Sequence, residues 1–276
     1  MAIEITDLHV RYGSQTAVTG LSLHIPEGTM FGLLGPNGAG KSSTIRCVAT
    51  TQTPTSGTIR VGGHDTVRAT AEVRRLLGVV PQGLALYDGL SVAENLRIFG
   101  GLYGLSGNTL GQRVDWGLEL SQLGPHRGKR AGELSGGMKR RLNIAAALLH
   151  DPKILIFDEP TTGVDPQSRN HIFDTIRQLH SEGRTVVYTT HYMEEVEALC
   201  DHVAIVDQGR LVAMDALPAL LARATPTGAR VRLGHGVTVD AVRARLEGLG
   251  LEVEAEGRSL EQVFLELTGR ALRDSS

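Results

Sequence analysis

Cysteine is nearly absent from this sequence: 276 residues include two, Cys47 and Cys200. Two thiols so far apart build no disulfide framework, suit a reducing compartment, and read as packed core residues. An excess of either charge is missing too. With 28 Lys and Arg against 30 Asp and Glu the formal net charge is −2, so no global basic field exists to hold nucleic acid or an anionic membrane surface. No run of 18 apolar residues occurs, and the N-terminal MAIEITDLHV lacks a charged leader and apolar segment. These absences predict a cytoplasmic chain whose membrane role must run through another protein. Internal repeats and low-complexity tracts are also absent.

What is present is an apolar fraction of 41%, enough to bury one large or two modest domains. IEITDLHVRY, AVTGLSLHI and TMFGLLG read as three strands, and GTIRVGG and LLGVVPQ follow after a first helix. From residue 91 to about 123 the apolar spacing turns helical, and GMKRRLNIAAALLH sets Met138, Leu142, Ala145 and Leu149 on one helix face. KILIFDE, RTVVYTT and HVAIVDQG are short apolar strands separated by helical segments, the alternation of a parallel sheet covered by helices. The expected architecture is α/β, with a nucleotide-type domain over 1–224, a helical subdomain over about 84–150, and a small βαβα extension over 225–276.

The densest chemical signal is GPNGAGKSS, residues 35–43, placed between a buried strand and a helix. Gly35, Gly40, Lys41 and Ser42 satisfy G-x-x-x-x-G-K-[ST]. Glycines let successive N–H groups curl around phosphate oxygens at a helix N-terminus, and Pro36, Asn37, Gly38 and Ala39 form that loop, with Ser43 following. Lys41 would reach the β/γ-phosphates and Ser42 would offer its hydroxyl to Mg²⁺. ILIFDEP, residues 154–160, brings Asp158 to the end of a second buried strand. There Asp158 would hold Mg²⁺ and Glu159 would orient and polarise a water for attack on the γ-phosphate.

LSGGMKRRL, residues 134–142, adds a serine and two glycines at the head of a helix, a second anion site. Here the chain resembles the nucleotide-binding subunits of ABC transporters, with Ser135, Gly136 and Gly137 at the family's signature motif. That resemblance implies a P-loop ATPase core of mixed sheet, antiparallel β subdomain and inserted helical subdomain. It also implies ATP and Mg²⁺ as ligands, and a head-to-tail dimer in which each ATP lies between one subunit's P-loop and the other's signature. Further positions follow in family order. Tyr12 in RYGSQTAV resembles the aromatic that stacks on adenine, and Gln82 in VVPQ the glutamine that touches Mg²⁺ and the lytic water. Asp165 in TTGVDP resembles the loop crossing the dimer interface, and His191 in YTTHYMEE the switch histidine facing the γ-phosphate. Alone, each of these four is an ordinary strand-end, loop or cap residue. Their order from residue 1 to about 215 carries the assignment.

Met138 stands where many members have glutamine, and packing is the role expected of its thioether. With PTTGVDPQSR and SLEQVFLELTGRALRD, the chain looks like ATPases of daunorubicin-type drug-resistance and related lipid, polyketide or polysaccharide exporters. The implied partner is an integral membrane permease, received near Leu84, Leu86 and Tyr87, which would hold this chain on the inner face of the cell membrane. An importer ATPase would share the chemistry with a different permease. A soluble member acting on nucleic acid or ribosomes would carry a coiled-coil insertion or a second cassette, neither of which this sequence contains.

Overall fold

The computed structural model describes residues 1–223 and 259–268. Strands β1 (Ile3–Tyr12) and β2 (Gln15–Ile25) alternate buried and exposed positions, as strands covered on one face must. They pair antiparallel, and β1 also pairs with β4 (Ser56–Val61), which carries the short β5 (His64–Asp65). The resulting four-stranded sheet runs β2-β1-β4-β5.

β3 (Met30–Leu34), β7 (Ile154–Asp158) and β8 (Thr185–Thr190) are buried along their whole length. Strands with no polar alternation need cover on both faces, and these lie side by side in a parallel sheet. β6 (Leu77–Val80) flanks β7, β9 (His202–Asp207) flanks β3, and β10 (Arg210–Ala216) closes the edge antiparallel to β9. The six strands run β10-β9-β3-β8-β7-β6. Close cover leaves no room for a side chain at residue 32, where a Cβ on Gly32 would meet Val196 Cγ1 and Cys200 Sγ at 3.0 Å each.

Helix α1 (Lys41–Val48) lies between the two sheets, where Ile3, Leu21, Phe31, Ile45 and Val187 share one core. After the short α2 (Thr70–Leu76) come α3 (Val92–Leu102), capped by a Ser91/Glu94 capping box, α4 (Gly107–Leu120) and α5 (Gly136–Ala147). These last three form the helical lobe, with a core of its own around Leu96, Leu118, Leu142 and Leu149. Met138 packs against that core, as its place on the α5 apolar face predicts. α6 (Pro166–Ser181), α7 (Met193–Leu199) and α8 (Leu217–Arg223) cover the other face of the parallel sheet. Both cysteines are free and buried. Burial pushes the Cys47 thiol up to about 11, the behaviour of an inert core residue.

Four elements go beyond the sequence reading: β5, α2, β10 and α8. α2 buries Val73 as its one fully covered residue, and RLVAMDA in β10 shows weak alternation, so neither carries a strong periodic signal. α4 starts at Gly107, ahead of the RVDW segment read as its beginning. The strands expected in ARVRL and LEVEAE and the helix in VDAVRARLEGLG lie outside the described residues. The final helix, α9 (Leu260–Thr268), is described, and it packs on α7 and α8. Leu260, Val263 and Phe264 are at most 2% exposed, within the core that holds Phe157 and Val196. The Leu260 amide donates to Glu197 Oε1 on α7 at 2.7 Å.

Phe264→Ala therefore removes a ring from the core around Phe157 and Val196 and is expected to lower the unfolding free energy by about 3–5 kcal/mol. Urea denaturation of the full chain checks this. A main transition unmoved by the substitution contradicts the packing of α9.

Candidate active site

The parallel strands end at one edge, and the chemistry-bearing residues collect there, as ligands do in open α/β sheets. β3 runs into the loop 35–40, whose glycines meet hard steric limits. A Cβ on Gly35 would stand 2.2 Å from the Val206 carbonyl, and one on Gly40, with φ of 99°, 2.6 Å from the Ala17 carbonyl. Lys41 opens α1 and is 4% exposed. Its ammonium donates to the carbonyls of Gly35 at 2.7 Å and Pro36 at 3.2 Å, and lies 3.4 Å from Glu159 Oε1. Burial pushes this lysine below its ordinary range, and the charges of Glu159 and Asp158 pull it back.

β7 delivers two adjacent carboxylates into the same corner, Asp158 at 8% and Glu159 at 6% exposed. Asp158 Oδ1 accepts the Thr189 hydroxyl at 2.6 Å and the Ser42 hydroxyl at 3.4 Å. Among the described residues Asp158 has no cation within ion-pair distance, whereas Glu159 has Lys41 and a neighbouring His191. A buried carboxylate beside a hydroxyl, short of a counter-charge, is what a hard cation such as Mg²⁺ needs from a protein, with phosphates and water completing the shell. Among the described residues no cluster of three metal-ligating side chains exists, so the protein offers this partial shell and not a cage. Ser42 and Asp158 fit the ion, with Gln82 beside them.

Glu159 is the meeting point. Gln82 donates to its Oε2 at 3.2 Å, the Thr162 hydroxyl at 3.4 Å, and His191 Nδ1 stands 3.4 Å away without hydrogen-bond geometry. Tyr12, 43% exposed, stands at the mouth, its hydroxyl donating to Gln52 at 2.6 Å. Tyr12, Asn37, Gly38, Ala39, Gly40, Lys41, Ser42, Ser43, Gln82 and Glu159 all line one cleft of about 440 Å³. A wider depression of about 620 Å³ opens beside the starts of β7 and β8, at the opposite end of the sheet. Its Arg184 is already paired with Asp151 and Glu182, so we place the active site in the smaller cleft.

Ser135, Gly136, Gly137 and Asp165 do not line that cleft; they form a second group. Ser135 caps α5, its hydroxyl accepting from the Met138 amide at 3.3 Å, and Ser135 and Gly136 are exposed. Asp165 caps α6 by accepting from the Ser168 amide at 2.9 Å. A Cβ on Gly137 would stand 2.0 Å from Ser168 Oγ, so glycine at this position lets the heads of α5 and α6 touch. That packing reason was not visible in the sequence.

Two further residues escaped the sequence reading. Arg140, 4% exposed, donates to the carbonyls of Pro81 at 2.8 Å and Gln82 at 2.5 Å, and Asn143 Oδ1 accepts from the Ala85 amide at 3.0 Å. The signature helix thus grips the backbone of the segment that carries Gln82. The available signal was slight, because Arg140 and Asn143 stand three residues apart on a helix that also carries Lys139 and Arg141.

The family described as ABC transporter matches residues 18–162, more than half the chain and including the P-loop, Gln82, the signature and Asp158–Glu159. The chain belongs to the ABC transporter ATP-binding family. A second family, described as an AAA domain, putative AbiEii toxin, matches the shorter stretch 128–197. Among similar ABC ATP-binding proteins, the linearmycin resistance ATP-binding protein LnrL of Bacillus subtilis is 39% identical over 99% of this chain and 100% of its own. A Nod factor export ATP-binding protein I of Cupriavidus metallidurans is 39% identical over 99% of both chains. The daunorubicin resistance ATP-binding protein DrrA3 of Streptomyces coeruleorubidus is 38% identical over 97% of this chain and 96% of its own. A solved ATP-binding subunit of an ABC transporter superposes with a TM-score of 0.77 at 27% identity, covering 97% of this chain and 100% of that one. The expected α/β architecture, with its mixed sheet, antiparallel β subdomain and helical lobe, is that of the ABC ATP-binding fold.

Lys41→Ala deletes the ammonium at the centre of this candidate cleft. Charge-assisted hydrogen bonds of this kind contribute about 1.5–3 kcal/mol, so ATP·Mg²⁺ affinity is expected to fall on the order of 10- to 100-fold. Isothermal titration calorimetry on the folded variant is the check, and unchanged affinity contradicts the placement.

Proposed function

We propose that this ABC subunit hydrolyses ATP while paired with a second subunit across two ATP·Mg²⁺, and that the cycle drives export through a separate membrane permease. The observation that carries the reading is the division of the site. The P-loop, Gln82, Asp158, Glu159 and His191 form one corner, while the exposed helix head of Ser135 and Gly136 belongs to a second group outside that cleft. A serine-capped helix N-terminus with free N–H groups is an anion site in search of a phosphate. A head-to-tail pair supplies one from the partner's nucleotide.

In this reading Lys41 and the amides of residues 36–41 hold the β- and γ-phosphates, and Tyr12 stacks on the base. Bound through Ser42, Asp158 and Gln82, Mg²⁺ would neutralise phosphate charge. Glu159 orients water and takes its proton, Gln82 and His191 set the position of Glu159, and Asp165 reaches across the pair. A phosphate entering the cradle competes for the Lys41 ammonium, which frees Glu159 from its ion pair in the closed site.

Export is supported by the names of the resistance and export relatives. Leu84 and Tyr87, 45% and 50% exposed, offer apolar contact for a permease, whereas Leu86 packs into the lobe core. Among the described residues no helix is long and apolar enough to cross a membrane, so the membrane-spanning path is assigned to the partner. The net charge of −2 gives nucleic acid no field to bind.

Glu159→Gln keeps the side chain's size and removes its capacity to take a proton, so hydrolysis is expected to fall roughly 10²-fold or more. Unhydrolysed ATP then favours the dimer by linkage. Light scattering after size exclusion should show an ATP-dependent dimer for Glu159→Gln that is lost when Ser135→Arg is added. A Glu159→Gln chain that stays monomeric at saturating ATP, with the permease supplied, overturns the paired arrangement.

A further inference from the structure

Glu195 lies on α7, four residues after His191, outside the cleft and unused in the scheme above. It is 3% exposed. A carboxylate this deep persists where its lone pairs are filled, and here three hydroxyls fill them. Oε1 accepts from Thr161 at 2.7 Å; Oε2 accepts from Thr190 at 2.7 Å and from Tyr188 at 3.0 Å. Burial, then the charge of Glu195, push the Tyr188 phenol above the ordinary tyrosine range, which keeps that donor protonated. Among the described residues the cation within ion-pair distance is Arg169, whose Nε lies 4.0 Å from Oε1 and whose side chain is 44% exposed.

The donors are the informative part. Thr161 comes two residues after Glu159, and Thr190 immediately precedes His191. The turns bearing Glu159 and His191 leave different strands, β7 and β8, yet both are tied from behind to one carboxylate. In front, Glu159 Oε2 and His191 Nδ1 stand 3.4 Å apart.

We propose that Glu195 is a positioning residue for ATP hydrolysis: by holding Thr161 and Thr190 together it sets the separation of Glu159 and His191. The proposal rests on the reading of those two as the hydrolytic pair. Lys41, Tyr12 and the P-loop glycines touch none of these three threonine and tyrosine hydroxyls, so nucleotide affinity is independent of the clamp. The step it controls is the placement of Glu159 for water, where displacements well under 1 Å matter.

The test is steady-state ATPase activity and ATP·Mg²⁺ affinity of the full chain, comparing wild type, Glu195→Gln, His191→Ala and the double variant. Loosening the pair is expected to lower kcat on the order of tenfold, with the nucleotide Kd within about twofold of wild type. In the double variant the losses should not multiply, because both substitutions act on the same geometry. Thr190→Val removes one donor at constant shape and should reproduce the kcat loss in part, which keeps the proposal testable should Glu195→Gln not fold. A folded Glu195→Gln with wild-type kcat, a loss of affinity in parallel with kcat, or multiplicative losses with His191→Ala each overturn it. A wild type with no ATPase activity removes the hydrolytic reading and the proposal together; a wild type disabled by His191→Ala but not by Glu195→Gln removes the proposal alone.

Discussion

Two neighbouring carboxylates at the closed end of a buried strand are the constraint around which this molecule is arranged. Asp158 and Glu159 leave β7 almost without solvent, and burial makes each depend on hydrogen bonds or positive charge. Glu159 receives Lys41 and Gln82; Asp158 receives two hydroxyls and no cation. The remaining negative charge beside Ser42 is the electrostatic argument behind the proposed Mg²⁺ site. In the proposed reading, nucleotide and Mg²⁺ complete a balance that the folded chain leaves unfinished.

The sheet explains how residues from five segments meet there. β3, β7 and β8 are parallel and in register, with Leu34 opposite Thr190 and Asp158 opposite Thr189, so the loops that follow them open on one edge. The helical lobe enters the same arrangement through backbone contacts. Arg140 on the signature helix holds the carbonyls of Pro81 and Gln82, and the Gln82 side chain reaches Glu159. Two hydrogen-bonded steps therefore connect α5 to the carboxylate.

What was legible in the sequence were the parts whose chemistry is local. The P-loop is nine consecutive residues, the Asp158–Glu159 pair is adjacent, and the signature serine sits directly on its helix; each announces itself by spacing. The apolar stripe of Met138, Leu142, Ala145 and Leu149 placed α5 in the lobe for the same reason. Illegible were contacts between residues remote in sequence. Thr189 reaches Asp158 across 31 positions, Arg140 reaches Gln82 across 58, and Thr161 reaches Glu195 across 34. A threonine in an apolar strand looks like an ordinary β-former until the sheet register puts its hydroxyl beside a carboxylate. Likewise, SLEQVFLELTG was readable as a helix, but its burial against α7 and α8 depended on which faces those helices left uncovered.

Glu159 shows why such remote contacts are needed at all. Its φ is 46°, a left-handed conformation that glycine adopts freely and a branched or long side chain resists. Holding a non-glycine residue there costs on the order of 1–3 kcal/mol and persists where surrounding structure over-determines it. The over-determination is visible: the Glu159 amide donates at 3.1 Å to both the carbonyl and the hydroxyl of Thr189, and Pro160 restricts the next step of the chain. Glycine would relieve the backbone and forfeit the carboxylate. An extended glutamate would continue β7 and carry its side chain away from Lys41 and Gln82. The turn that aims this side chain into the cleft is therefore strained by necessity. Asp158 accepts the same Thr189 hydroxyl that receives the Glu159 amide, so the polar contacts supporting that turn also hold the carboxylate proposed to face Mg²⁺.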